Sequence, residues 1–247
     1  MMKKVTDATA DSNWRGLYRV AGAAALISAV FIPIQIIVFM ISQPPFQGTV
    51  GDWFMLLQNN KLFGLVDMDL LLVADNVLLI PIFLALYIVL RRGNESTMLI
   101  ATALGFVGIV FFITTNPAFE MLSLSEKYAA AATDVQRAIF LAAGQAMLAT
   151  WQGTAFQVAY ITGSIAGIVI GVVMMQSGVF SKVTGWMGIL ANAVGFGLYV
   201  PAIGVYISVF SVFFLEAWYV LIARSLFQLG SGVAKERRIS QVSSAQV

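Results

Sequence analysis

The sequence predicts an all-α fold: an integral membrane bundle of six transmembrane helices, an external amphipathic helical hairpin, and both termini in the cytoplasm. Three observations carry that expectation. The 247-residue chain is 60% hydrophobic and 11% charged, with a mean hydropathy of +0.88; soluble domains are about 25% charged. Six segments approach the roughly 20 apolar residues that a bilayer-crossing helix needs: residues 17–41, 62–90, 98–115, 154–176, 184–200 and 203–223. The basic residues, finally, crowd onto one set of connections.

The elements follow in chain order. Residues 1–16 form a polar cytoplasmic segment, residues 17–229 the membrane domain, and residues 230–247 a small, polar tail expected to be disordered in the cytoplasm. The first apolar run is too long for a signal peptide, and "ISQPPFQG" after it lacks a small-residue cleavage pattern. Pro33 and Pro81 lie inside spans and predict kinks. Between the first two spans, Trp53, Phe54, Leu56 and Leu57 are expected in the lipid interface, with Asp52 capping a short helix.

Asn116-Pro117 stops the third span, and residues 116–152 read as a helical hairpin over the outer mouth of the bundle or as an amphipathic loop lying on the lipid. Thr133 and Gln136 have the spacing of a capping box. The fifth span is short, and "YVPAIGVY" makes the turn into the sixth very tight.

Orientation follows from the cations. Lys3, Lys4, Arg15, Arg19, Arg91, Arg92, Lys182, Arg224, Lys235, Arg237 and Arg238 share one side; only Lys61, Lys127 and Arg137 fall on the other. The first side is therefore the cytoplasm, and the location is the cytoplasmic membrane with both termini inside.

Gly163, Gly167 and Gly171 recur every fourth residue along the fourth span, and Gly188 and Gly195 offer a similar surface in the fifth. Such strips let another backbone approach closely. Their partner is either a neighbouring helix, a second copy of the chain, or another membrane protein.

The acids in apolar sequence are the handle on function. A carboxylate at a helix centre costs roughly 2.5–3.5 kcal/mol on insertion scales. Asp67 and Asp69 lie near the outer end of the second span, where a helix N-terminus favours negative charge; Asp75 and Asn76 lie deeper. At about 100° per residue, Asp69 and Asn76 point the same way, Asp75 lies about 100° round, and Asp67 points nearly opposite to Asp69. Asp69, Asp75 and Asn76 therefore share one sector and Asp67 stands apart. Glu216 is the second costly acid, with Asn192, Gln157, Tyr160, Tyr199, Tyr206 or another carboxyl as its natural partners.

Several chemistries are excluded. There is no cysteine and no histidine, which removes disulfides, thiol nucleophiles, Cys/His zinc sites and Ser–His machinery. No GxSxG, Walker-type loop or HExxH occurs. No cofactor is expected, and the metal question is left open. A net charge of +2 is too small to imply a nucleic-acid partner.

At "NPAFEMLSLSEKYAAAATDVQRAIFLAAGQAMLA" (residues 116–149) the chain resembles a family of prokaryotic multi-pass membrane proteins known as domain of unknown function 4386. "GTAFQVAYITGSIAG", "GILANAVGFGLYVPAIG" and "EAWYVLIARSLFQLG" extend the resemblance over about residues 17–230. It implies a multi-helix membrane protein and carries no catalytic residues.

The residues point first to a non-catalytic scaffold or accessory subunit in the lipid bilayer, assembling through its glycine faces. The alternative is binding or transport of a proton, cation or small polar solute through an outward-facing acidic cavity. Asp69, Asp75 and Asn76 would form its wall, Asn116 and Glu120 its mouth, and Glu216 its floor. A lipid-active enzyme with paired carboxylates comes third; the chain is not expected to be an enzyme.

Overall fold

The computed structural model describes residues 12–231, which are helical with no strand among them. The expected N-terminal segment up to residue 11, the tail beyond residue 231, and the cations Lys3, Lys4, Lys235, Arg237 and Arg238 lie outside the described residues. The helices are α1 (Arg15–Ser42), α2 (Val50–Asn59), α3 (Lys61–Asp67), α4 (Leu70–Leu90) and α5 (Glu95–Thr115). They continue as α6 (Ala118–Ala130), α7 (Asp134–Trp151), α8 (Thr154–Ser177), α9 (Lys182–Gly195) and α10 (Gly204–Ser231).

Five helical stretches among these are long and apolar enough to cross a membrane, and they contain α1, α4, α5, α8 and most of α10. Two expected spans differ from the structure. Residues 184–200 give α9, with 14 residues, followed by a 3-10 turn, Phe196–Tyr199. At about 1.5 Å per residue α9 is roughly 21 Å long, against roughly 30 Å of hydrocarbon. Residues 62–90 do not form one helix: the chain breaks after Asp67 and restarts at Leu70.

The described residues divide into two compact units, 30–77 with 106–163, and 12–29 with 78–105 and 164–231. Helices α1, α4, α5 and α8 contribute residues to both.

In the unit containing α2, α3, α6 and α7, the core is Val50, Trp53, Phe54, Leu57, Met68, Ala118, Met121 and Trp151. Trp53, Phe54 and Leu57 are thus interior, whereas the sequence suggested a lipid interface. Trp53 meets Trp151 edge-on at 5.5 Å and Phe54 meets Tyr128 at 5.5 Å, contacts that satisfy aromatic rings inside protein as well as headgroups would. The cap of α2 also differs. Thr49 is the N-cap, and Asp52 reciprocates by accepting from the Thr49 backbone N–H at 2.7 Å. Those hydrogen bonds hold the exposed Asp52 carboxyl below its usual range.

Helices α6 and α7 pack on each other across residues 131–133. Thr133 caps α7, accepting from Gln136 N at 3.2 Å, while Gln136 Oε1 reaches back to Ala132 N at 3.0 Å, one residue beyond the usual partner.

The other unit is built on the glycines. A Cβ on Gly171 would stand 2.7 Å from Ile189 Cγ1 and 2.9 Å from the Gly185 carbonyl oxygen, and one on Gly185 would stand 2.8 Å from the Gly171 oxygen. Here α8 and α9 touch backbone to backbone, which any larger residue would prevent. A Cβ on Gly167 would overlap the Asn192 side chain, whose Nδ2 donates to the Gly188 carbonyl at 2.8 Å. Gly188 faces the Trp218 indole, and Gly195 is the buried last residue of α9.

Gly163 belongs to the first unit and behaves differently. A Cβ there would meet nothing within 4 Å among the described residues, although its backbone N lies 3.2 Å from where a Cβ on Gly108 would stand.

These contacts predict a contrast within one strip. Gly167→Leu should cost at least the 1–3 kcal/mol of core overpacking, because the obstructing Asn192 is pinned to Gly188. Gly163→Ala should be neutral or stabilising by up to about 1 kcal/mol, since alanine is the better helix former. Thermal unfolding in detergent measures both; a Gly167→Leu protein melting like its parent would remove this α8–α9 contact.

Candidate functional site

The site begins where α3 ends. Met68 N donates to the Gly64 carbonyl at 3.1 Å and Asp69 N to the Val66 carbonyl at 2.9 Å. Asp69 then takes φ = 64°, in the left-handed region. Aspartate tolerates that region better than most side chains do, and the turn lets α4 start afresh at Leu70.

A broken helix leaves carbonyls with room for donors. Two amide side chains reach them, Val66 already accepting from Asp69 N. Gln35, from α1, donates through Nε2 to the Val66 carbonyl at 2.6 Å. Asn116, at the junction of α5 and α6, donates through Nδ2 to the Met68 carbonyl at 2.6 Å and accepts from Ala118 N at 3.1 Å. The segment 66–68 is therefore clamped from both flanks.

The two carboxylates within this clamp have different surroundings. Asp69 is half-buried, with the Trp151 indole N–H as its donor. Burial pushes its pKa up to about 7; Trp151 offsets part of that, and the negative charge of Asp67 adds to it. Asp67 is 0% exposed and neither oxygen has a hydrogen-bond partner. Burial raises its pKa as well, with the Ser42 hydroxyl pulling the other way. Gln35 is 3% exposed, and its Oε1 also has no hydrogen-bond partner.

Of the residues predicted from sequence, the structure brings together Asp69 and Asn116. Asp75 is buried further along α4. Asn76 bonds within its own helix, Nδ2 to the Leu72 carbonyl at 2.9 Å. Glu120 is exposed and lines a groove of about 680 Å³ between α6 and α7, with Phe119, Lys127 and Met147. Glu216 lies on α10, in the other unit.

Sequence reasoning missed Asp67, Gln35, Ser42 and Trp151. Asp67 was set aside because a continuous helix turns it away from Asp69; the break at Asp69 cancels that rotation. Gln35 carried a legible signal: a lone amide two residues after Pro33 in a 28-residue apolar helix.

An all-helical chain with several helices of membrane-crossing length, one of them opening on a polar break, defines a membrane protein. The chain belongs to the family described as Domain of unknown function (DUF4386), whose model matches residues 61–231. That stretch includes Asp67, Asp69, Asn116 and Trp151, and stops short of Gln35 and Ser42. No curated protein and no solved structure matches the chain.

A pH prediction follows from Asp69. Its folded pKa of about 7 lies above the ordinary 3.8, so between those values the native state binds the extra proton. Stability is then greatest at low pH and declines as pH rises through the folded pKa. Melting temperature should fall between pH 5.5 and pH 8, and Asp69→Asn should flatten that decline, leaving the smaller contribution of Asp67. An unchanged slope in Asp69→Asn would remove Asp69 as its source.

Proposed function

We propose that this chain is a multi-pass protein of the cytoplasmic membrane that binds or conducts a proton, cation or small polar solute at an outward-facing acidic site. The observation that carries this reading is Asp69, a partly exposed residue whose carboxyl is desolvated beside Trp151 at the left-handed break that opens α4. An acid placed there can meet the aqueous side while its neighbours exclude lipid, which is how ionisable groups in membrane proteins typically serve a solute path. The role is non-enzymatic.

The threading is read from the cations. Arg15, Arg19, Arg91, Arg92, Lys182 and Arg224 face the cytoplasm, and Lys61, Lys127 and Arg137 face outside. On this reading both termini are cytoplasmic, α6 and α7 form an external helical cover, and α9 with its 3-10 turn makes the remaining crossing of six. The second crossing is α4 alone, so α3 and the break sit at the outer boundary.

A scaffold role, with a second copy or another membrane protein as partner, needs an open glycine face. Gly167, Gly171 and Gly188 already meet side chains or backbone of their own unit. Only the Gly163 position of the strip has space beside it, which favours the solute reading over the scaffold one.

The chain contains no cysteine, which makes single-cysteine labelling clean. Ser123→Cys should react with a membrane-impermeant maleimide from outside intact cells, and Ser96→Cys only after permeabilisation; the reverse pattern overturns the threading. In proteoliposomes, an inward potential should drive proton or cation uptake that Asp69→Asn lowers at least tenfold. Uptake no greater than in empty vesicles would return the scaffold reading to first place.

A further inference from the structure

We propose that Asp67, Gln35 and Ser42 form a site for a partly dehydrated monovalent cation of the sodium class, which exchanges with a proton; this rests on the reading of the break as the solute site. Asp67 is fully enclosed, and both of its oxygens lack hydrogen-bond partners. Gln35 Oε1 is a third enclosed acceptor without a donor.

The amide cannot simply be turned over to cure this. Gln35 Nε2 is fixed on the Val66 carbonyl at 2.6 Å, and the reversed amide would set oxygen against oxygen. The same bond anchors the amide on the residue next to Asp67, so its unpartnered oxygen belongs to this turn. Ser42 donates its hydroxyl proton to the Val38 carbonyl at 2.7 Å and stands beside Asp67. With that proton on Val38, its lone pairs add acceptor capacity beside Asp67; the same hydroxyl can turn its proton to the carboxylate when no cation is bound.

Oxygen acceptors in excess, with one negative charge and a single rotatable hydroxyl as donor, are what a hard cation recognises. One enclosed carboxylate matches one positive charge. The second carboxylate, Asp69, has its pKa raised by burial to about 7; where it is protonated, Asp67 is the one charge left to match, and a monovalent ion suffices. The one lysine on α3, Lys61, is paired with Glu126. Protonating Asp67 supplies a single donor for three orphaned acceptors, which makes the proton a competitor rather than a full substitute.

The test uses the full-length protein in lipid nanodiscs, with sodium chloride replaced stepwise by choline chloride at constant ionic strength. At pH 8.5 the melting temperature should rise saturably with sodium, as binding to the native state requires, and choline should give no rise. At pH 5.5 the sodium effect should shrink. Asp67→Asn should abolish the sodium response, Gln35→Leu should weaken the apparent affinity about tenfold, and Glu95→Gln, exposed at the start of α5, should leave it unchanged. Identical curves in sodium and choline, or a full response in Asp67→Asn, would overturn the proposal. Should Asp67→Asn not fold, Gln35→Leu and Ser42→Ala decide, and unaltered sodium affinity in both overturns it. Absent sodium dependence with an intact Asp69-dependent pH effect sinks the cation site alone; absence of both sinks the solute reading too.

Discussion

Hydrocarbon offers no hydrogen bonds, and each unpaired peptide group in it costs several kcal/mol. The apolar stretches are therefore helical almost without choice, because a helix pairs its backbone within itself. The same constraint explains why interruptions matter. Where α3 stops and α4 starts, the Met68 carbonyl takes its donor from Asn116, and the Val66 carbonyl takes a second donor from Gln35 beside Asp69 N, both amides coming from distant parts of the sequence. Asp67 and Asp69 are thus held in a turn whose shape is set by residues on either side.

Lipid also weakens the force that ordinarily brings helices together, since acyl chains are as apolar as leucine. Contact must come from close approach. Gly171 and Gly185 provide it reciprocally, and Asn192 fills the slot over Gly167 while returning its donor to the Gly188 carbonyl. The polar atom that might have glued another chain to this face is used inside the unit.

Much of the architecture was legible from hydropathy, because length and apolarity alone decide whether a helix can span. The apolar stretches that became α1, α4, α5, α8 and α10 were visible in this way. The misreadings share one cause. A helical wheel assumes a continuous helix, and Asp69 at φ = 64° ends that continuity, so the rotation that separated Asp67 from its neighbours had no physical basis. Trp53 and Phe54 look the same in sequence whether they meet headgroups or Trp151 and Tyr128; only long-range packing distinguishes the two. Of the site, Asp69 and Asn116 were readable as polar residues out of place. Gln35 was equally out of place, and its partner lies 31 residues away, beyond any local pattern.

The enclosed carboxylate sets the last step. Holding it ionised without a partner costs several kcal/mol even after relaxation, a large share of the 5–15 kcal/mol that typically stabilises a fold. Protonating a carboxyl of ordinary pKa at neutral pH costs about 4 kcal/mol, at 1.36 kcal/mol per unit. Both charge states of Asp67 therefore carry a cost, and burial moves its pKa upward. A bound cation escapes both, provided that something replaces the water it sheds. The carbonyl oxygen of Gln35 and the hydroxyl of Ser42 are the groups positioned to do so, and each is oriented by a hydrogen bond that turns its donor elsewhere. A neutral Asp67 would use one such acceptor for its own O–H; the remaining acceptors are what a cation adds a use for.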